Sequence, residues 1–225
     1  MALVREIPID ERPREKAMSF GVKTLTNVEL LAILIRNGYQ GYSSLKIAEE
    51  LLKKANGIGG LTKLSNHELT SIKGIKKIKA LELIACIELA RRISYEDVKK
   101  KDVIKDPSNL IEWLKNEIGS ETQENFLVVY LNVKNHVITY RILFKGTLDC
   151  SLVHPREIFK EALLHSSSKI LLVHNHPSSD IEPSIADIEM TQQIVECGDM
   201  MGIIVLDHII VSNHSHLSFR AKGLL

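Results

Sequence analysis

His174 and His176 flank Asn175 at the end of a short apolar run, KILLVH. On a β-strand, side chains two residues apart share a face, with Cα atoms about 6–7 Å apart. Two imidazoles so placed can ligate one metal ion, at about 2.0–2.1 Å each if it is zinc. Pro177 follows at once and cannot donate to a strand ladder, so the pair ends its strand and faces a loop. Six residues after Pro177 lead to Ser184, with Asp187 three positions further on. A helix beginning near Ser184 places Asp187 in its first turn, where the carboxylate can face back toward the strand end. Two histidines and one carboxylate leave a fourth tetrahedral position open, which is the pattern of a catalytic rather than a structural zinc.

Each piece has an ordinary structural reading. Ser184 and Asp187 alone make an S-x-x-D capping box. His214-Ser215-His216 repeats the H-x-H spacing in a predicted turn, lacks a following acid and reads as surface. Specificity lies in the combination of H-x-H-P, six residues, Ser, two residues and Asp. Other signatures fail: His67-Glu68 opens like H-E-x-x-H, but Ser71 stands where the second histidine belongs. The deaminase pattern and the Walker A sequence are absent.

The elements around this motif read as strands alternating with helices. NFLVVYLNV and HVITYRILF are β-rich runs joined at Lys134-Asn135, a hairpin candidate. PREIFKEALLHSS has proline at a helix start, Ser184 to Cys197 reads as a helix, and GIIVLDHIIVS as a further strand. His208, inside that strand, reads as a hydrogen-bonded core histidine, and neither it nor His154 receives a role. The first 93 residues instead read as helices: Val28 to Ile35 after Thr26-Asn27, SLKIAEELLKKA after Ser43, a third near Asn66, and a fourth from Lys77 to Ile93. Between the two patterns lies a charged stretch without sustained periodicity. The expected organisation is a helical domain over residues 1–93, a linker over 94–102 and a second domain over 103–225.

Composition sets the outer limits. The 225 residues are 44% hydrophobic and 25% charged, ordinary for a globular protein. A net charge of +1 lacks the basic excess of a dedicated nucleic-acid binder, so any DNA contact must be local. Cys86, Cys150 and Cys197 are isolated, which argues against a disulfide framework. With no apolar run of membrane-spanning length, the chain reads as reduced, cytoplasmic and without a membrane partner.

The segment HNHPSSDIEPSIAD resembles the JAMM motif of JAB/MPN metalloproteases. FKGTLDCSLVHPREIFKEALLHSSSKILLVHNHPS and LDHIIVSNHSHLSFRAKGLL resemble the RadC family, named for DNA repair, and the likeness extends to RPREKAM and LTNVELLAILIRNG. The resemblance implies an α+β protein: an all-α helical domain followed by an α/β JAB/MPN domain, cytidine-deaminase-like, whose mixed sheet is flanked by helices. It implies Zn2+ on His174, His176 and Asp187, and a peptidase or isopeptidase acting on a peptide or protein substrate. An upstream glutamate serves such sites as general base; Glu124, before NFLVVYLNV, fits that place, with Glu121 further away and Glu157 a rival inside a helix. Ser184, by its position in the motif, would donate to the tetrahedral oxyanion.

LTSIKGIKKIKALELIACIELARR resembles a helix-hairpin-helix motif, which offers backbone N–H groups to a DNA phosphate. Gly74, Lys76 and Lys77 are the candidate contacts. The usual Gly-apolar-Gly reads Gly74-Ile75-Lys76 here, and lysine lacks the easy positive φ of glycine. A purely helical packing or interaction domain is the equal alternative. The competing functional reading is therefore a DNA-binding or repair-associated protein whose JAMM domain is an interaction scaffold or a metal-dependent nuclease. Substrate and homo-oligomerisation are not legible in the sequence.

Overall fold

The computed structural model describes residues 7–39, 41–146, 153–178 and 180–225. Cys150 and Ser179, and with them part of the family-like stretch before Pro155, lie outside the described residues. The chain divides into two compact units, Met1–Ala90 and Arg91–Leu225.

In the first unit, α1 (Pro13–Phe20) starts on a proline, and α2 (Asn27–Ile35) on a full capping box between Thr26 and Glu29. Helix α3 (Ser44–Ala55) is capped by Ser43 and stops at Asn56 in the left-handed conformation. Ile47, Ala48, Leu51 and Ala55 repeat at helical spacing, so one face of α3 is buried against Leu31, Ala32 and Ile35 of α2. Helix α4 (Asn66–Thr70) and the start of α5 (Lys77–Lys99) complete this core through Leu69, Ala80 and Leu83.

Helix α5 continues through residues 94–99, where a linker was expected. Tyr95 and Val98, three apart, pack into the core of the second unit, while the charged residues between them stay at the surface. Two apolar positions are enough to dock a helical turn but too few to register as a period. The boundary between units falls at Ala90/Arg91, inside the helix.

Among the described residues the second unit holds five strands, β1 (Glu124–Leu131), β2 (Val137–Gly146), β3 (Lys169–Asn175), β4 (Ile204–Val211) and β5 (His216–Ser218), in the order β2-β1-β3-β4-β5. β1 pairs antiparallel with both β2 and β3; β3 and β4 are parallel; β5 returns antiparallel. The hairpin turn between β1 and β2 carries Asn135 at φ 61°, the left-handed conformation that asparagine tolerates. Helix α6 (Pro107–Glu117) covers one face, over Leu127, Val129, Leu131, Leu171 and Val173. Helices α7 (Pro155–Leu164) and α8 (Ile185–Met201) cover the other, over Phe126, Val128, Tyr130, Ile170 and Leu172. A short α9 (Phe219–Lys222) follows β5. The central strands are buried on both faces, so β1 and β3 read as continuous apolar runs rather than alternating ones. No helix among the described residues is long and apolar enough to cross a membrane.

Gly74 ends the turn between α4 and α5 at φ +95°, and a Cβ there would meet Ile47 Cδ1 at 2.4 Å. The residue is required for backbone conformation and for the approach of α3. Gly74→Ala is therefore expected to destabilise the protein by at least about 1–3 kcal/mol, the cost of a non-glycine residue at such a φ. Urea denaturation followed by circular dichroism measures this; a change within about 0.5 kcal/mol, the scatter of neutral surface substitutions, would contradict it.

Candidate metal centre

Strand register decides which side chains meet. Phe126 of β1 stands opposite His174 of β3, and continuing that antiparallel register places Glu124 opposite His176. Alternation then puts Glu124, His174 and His176 on one face, the side of α7 and α8. Their ligand atoms lie within 4.8 Å of one another, a group placed to hold a metal ion. Helix α8 begins beside them. Asp187, in its first turn, brings Oδ1 to 3.5 Å from His174 Nε2 and Oδ2 to 3.7 Å from His176 Nε2. Glu124 Oε1 is 3.9 Å from His176 Nε2.

The two imidazoles themselves show that this cluster suits a cation. His176 Nδ1 lies 2.8 Å from the Asp180 carbonyl, which can only accept, so the N–H is on Nδ1 and a lone pair on Nε2 when the ring is neutral. That Nε2 lies 2.9 Å from His174 Nε2. Where His174 also carries its proton on Nδ1, two lone pairs meet at that distance and repel unless a proton or a metal ion lies between or beside them. Two nitrogens on one tetrahedral zinc stand about 3.3 Å apart, from bond lengths of about 2.0–2.1 Å, a spacing comparable to that of these two Nε2 atoms.

The electrostatics follow from burial and contact. His174 is fully buried, and burial pushes its imidazole down to about 4, keeping the ring neutral and available as a ligand. His176, at the strand end and partly exposed, is raised, chiefly by the Asp187 carboxylate 3.7 Å from its Nε2. Burial pushes the Asp187 carboxyl up, but contacts with His176, His174 and Ser184 outweigh it and hold the group ionised. The site thus presents neutral nitrogen beside a persistent anion.

Ser184 is the N-cap of α8, and both halves of its capping box form. Its backbone N–H and its hydroxyl donate to Asp187 Oδ2 at 2.8 and 2.6 Å. The hydroxyl oxygen accepts from the Asp187 amide at 3.1 Å. The single Ser184 proton is thus directed at Asp187. Glu121 pairs with Lys145 and Glu157 with Arg156, away from the cluster. His214 and His216 lie at the β4–β5 turn.

The hairpin residues lie in the first unit. Gly74, Lys76 and Lys77 border a cleft of about 980 Å³ that includes Ile35, Tyr39 and Glu82. Lys76 is not among the positive-φ residues, so its replacement of a second hairpin glycine carries no backbone cost. The Lys76 ammonium lies over the Tyr39 ring, and Lys79 donates to the carbonyls of Asn37 and Gly74.

Sequence reasoning singled out neither Asn175 nor Thr191, while His208 is the buried, hydrogen-bonded core histidine it was read as. Asn175 points to the opposite face from the two histidines, as alternation alone would have indicated. Its Oδ1 accepts from the Asn125 amide at 2.8 Å, and its Nδ2 donates to the carbonyls of Gln123 and Glu121 at 3.1 and 3.3 Å. One buried amide thereby ties the residues on either side of Glu124 to the end of β3. Asn175→Ala leaves the buried Asn125 N–H without its acceptor, and a loss of about 1–3 kcal/mol is expected. The urea midpoint tests this; a variant within about 0.5 kcal/mol of the parent would show the clamp to be dispensable.

The comparisons agree with this architecture. A family model described as RadC-like JAB domain matches residues 104–224, and one described as UPF0758 N-terminal matches residues 4–81. A UPF0758 protein of Clostridium botulinum (strain Alaska E43 / Type E3) is 44% identical over 99% of this chain and 97% of its own length. Relatives of the same description from Geobacillus sp. (strain WCH70) and Staphylococcus haemolyticus (strain JCSC1435) are 43% and 45% identical, each over 98% of this chain and over 98% and 96% of their own lengths. With both of its regions matched and near-complete mutual coverage, the chain belongs to the RadC family, as a UPF0758 N-terminal region followed by a RadC-like JAB domain.

Proposed function

We propose that the protein is a zinc-dependent hydrolase of amide bonds, a peptidase or isopeptidase. The observation that carries this reading is the facing pair of Nε2 atoms on His174 and His176, 2.9 Å apart, with the ionised Asp187 carboxylate beside both. His174, His176 and Asp187 would hold the metal, and when bound it supplies Lewis-acid activation of water and of the scissile carbonyl. The remaining work belongs to the chain. Glu124, fixed at the head of β1 by the Asn175 clamp, accepts a proton from the attacking water and delivers it to the leaving nitrogen. Ser184 holds Asp187; to donate to a tetrahedral oxyanion, its hydroxyl must exchange the Asp187 carboxylate for substrate.

Amide hydrolysis fits better than nuclease chemistry, because nucleases commonly use paired metals, whereas His174, His176 and Asp187 form one ligand set with a single carboxylate. The DNA-binding reading of the hairpin has less behind it. Gly74 is accounted for by packing, and Lys79 is spent on two carbonyls.

Protein purified without added metal is expected to carry about one zinc per chain by elemental analysis, as a single-ion catalytic site requires. His174→Ala should lose that zinc, and a wild-type chain that stays metal-free when offered zinc would defeat the reading. Glu124→Gln should keep zinc while turnover of peptide or isopeptide-linked substrates falls about 10²–10⁴-fold. Full turnover in that variant would remove Glu124 from the mechanism.

A further inference from the structure

Behind the metal-facing histidine lies a second, fully buried one. His208 Nε2 is 2.8 Å from His174 Nδ1, and His208 Nδ1 is 2.6 Å from Thr191 Oγ1. Thr191 Oγ1 is in turn 2.5 Å from the Asp187 carbonyl oxygen. Each contact alone leaves the proton positions open, since imidazole nitrogens and hydroxyls can donate or accept. The chain as a whole does not, because one end is a carbonyl.

The Asp187 carbonyl can only accept, so the Thr191 hydroxyl spends its one proton there. Its oxygen must then accept from His208, which places the His208 proton on Nδ1. His208 packs against the rings of Phe126 and Phe219, and among the described residues no carboxylate bonds its ring. A ring fully enclosed by such apolar neighbours is neutral, with a lone pair on Nε2. That lone pair must accept, so the His174 proton sits on Nδ1. The remaining His174 nitrogen, Nε2, is left unprotonated and faces His176 and Asp187.

We infer that Thr191 and His208 are positioning residues: a one-way hydrogen-bond relay from the Asp187 carbonyl that holds His174 as its Nδ1–H tautomer and aims its Nε2 lone pair at the metal position. The inference rests on the proposed metal site and adds how one of its ligands is prepared. Helix α8 would thus set two ligands at once, Asp187 through its side chain and His174 through the Asp187 backbone.

A β-bulge makes the relay possible. Ile170 pairs with Val205 but Leu171 pairs with Asp207, so β4 gains one residue there. Val205 packs on the α7/α8 face and Leu206 on the α6 face; the extra residue then returns His208 to the α7/α8 face, beside His174, while Ile209 and Val211 keep to the α6 face. Without it, alternation would send His208 to the opposite side of the sheet.

Long-range 1H–15N correlation spectra of the metal-free, full-length protein read each imidazole tautomer directly. His174 and His208 are both expected as Nδ1–H; a His174 protonated on Nε2 would overturn the relay. Thr191→Ser should preserve both tautomers. Thr191→Val removes the polarity of the chain and should give a mixture at His174, whereas an unchanged spectrum would remove Thr191 from it. Zinc titration supplies the second readout. His208→Leu should weaken zinc binding about 10–100-fold, the usual cost of losing a partner behind a metal-bound histidine. His208→Gln, whose amide oxygen can accept at the Nε2 position, should recover most of that loss. Equal zinc affinity in His208→Leu and wild type would overturn the inference. Failure of the wild type to bind zinc would count against the proposed function, while the tautomer spectrum would still decide the relay.

Discussion

The antiparallel pairing of β1 with β3 is the constraint on which the rest of the site depends. Its register sets Phe126 against His174 and brings Glu124 level with His176. A slip of one residue would reverse the facing of every side chain on β1, sending Glu124 to the α6 side and Phe126 out of its core. Burial on both faces makes such a slip prohibitive, because Phe126 and Leu127 are both fully buried, in different apolar layers. The folding core thus specifies the spacing of the candidate base from the candidate ligands. Asn175 adds a local lock at the point where the ladder ends and backbone pairing can no longer serve.

Polar economy in the site is strict. Asp187 uses Oδ2 to complete a capping box, both oxygens to face the histidines, and its carbonyl to receive Thr191. Thr191 back-bonding to the carbonyl four residues earlier is a familiar satisfaction of a helical hydroxyl, but here the same oxygen also receives a histidine. Such a buried network is stable only when every member is satisfied, which ties the shape of the candidate metal site to the integrity of the first turn of α8.

Much was legible without coordinates. The two-unit organisation, the alternation of strands and helices, and the convergence of His174 and His176 on one face rest on periods of 3.6 and 2 that the residues themselves carry. Helix α5 shows the limit: its last turn before Lys99 is anchored by Tyr95 and Val98 against a core assembled from residues distant in the chain. Local periodicity contains no record of that core, so a charged helical end and a linker look alike.

Among the described residues three capping boxes are complete, Thr26/Glu29, Ser65/Glu68 and Ser184/Asp187, each with both reciprocal hydrogen bonds. Locally they are equivalent, and the H-N-H-P pattern nearby is what marked the third as different. Residue types and spacing determined by themselves which side chains are able to ligate and which helix starts near them. Tertiary structure alone decided that Asn175 grips the segment around Glu124 and that His208 joins His174. The last depends on a single extra residue in β4, and a bulge arises from pairing between strands, which no one strand's sequence encodes.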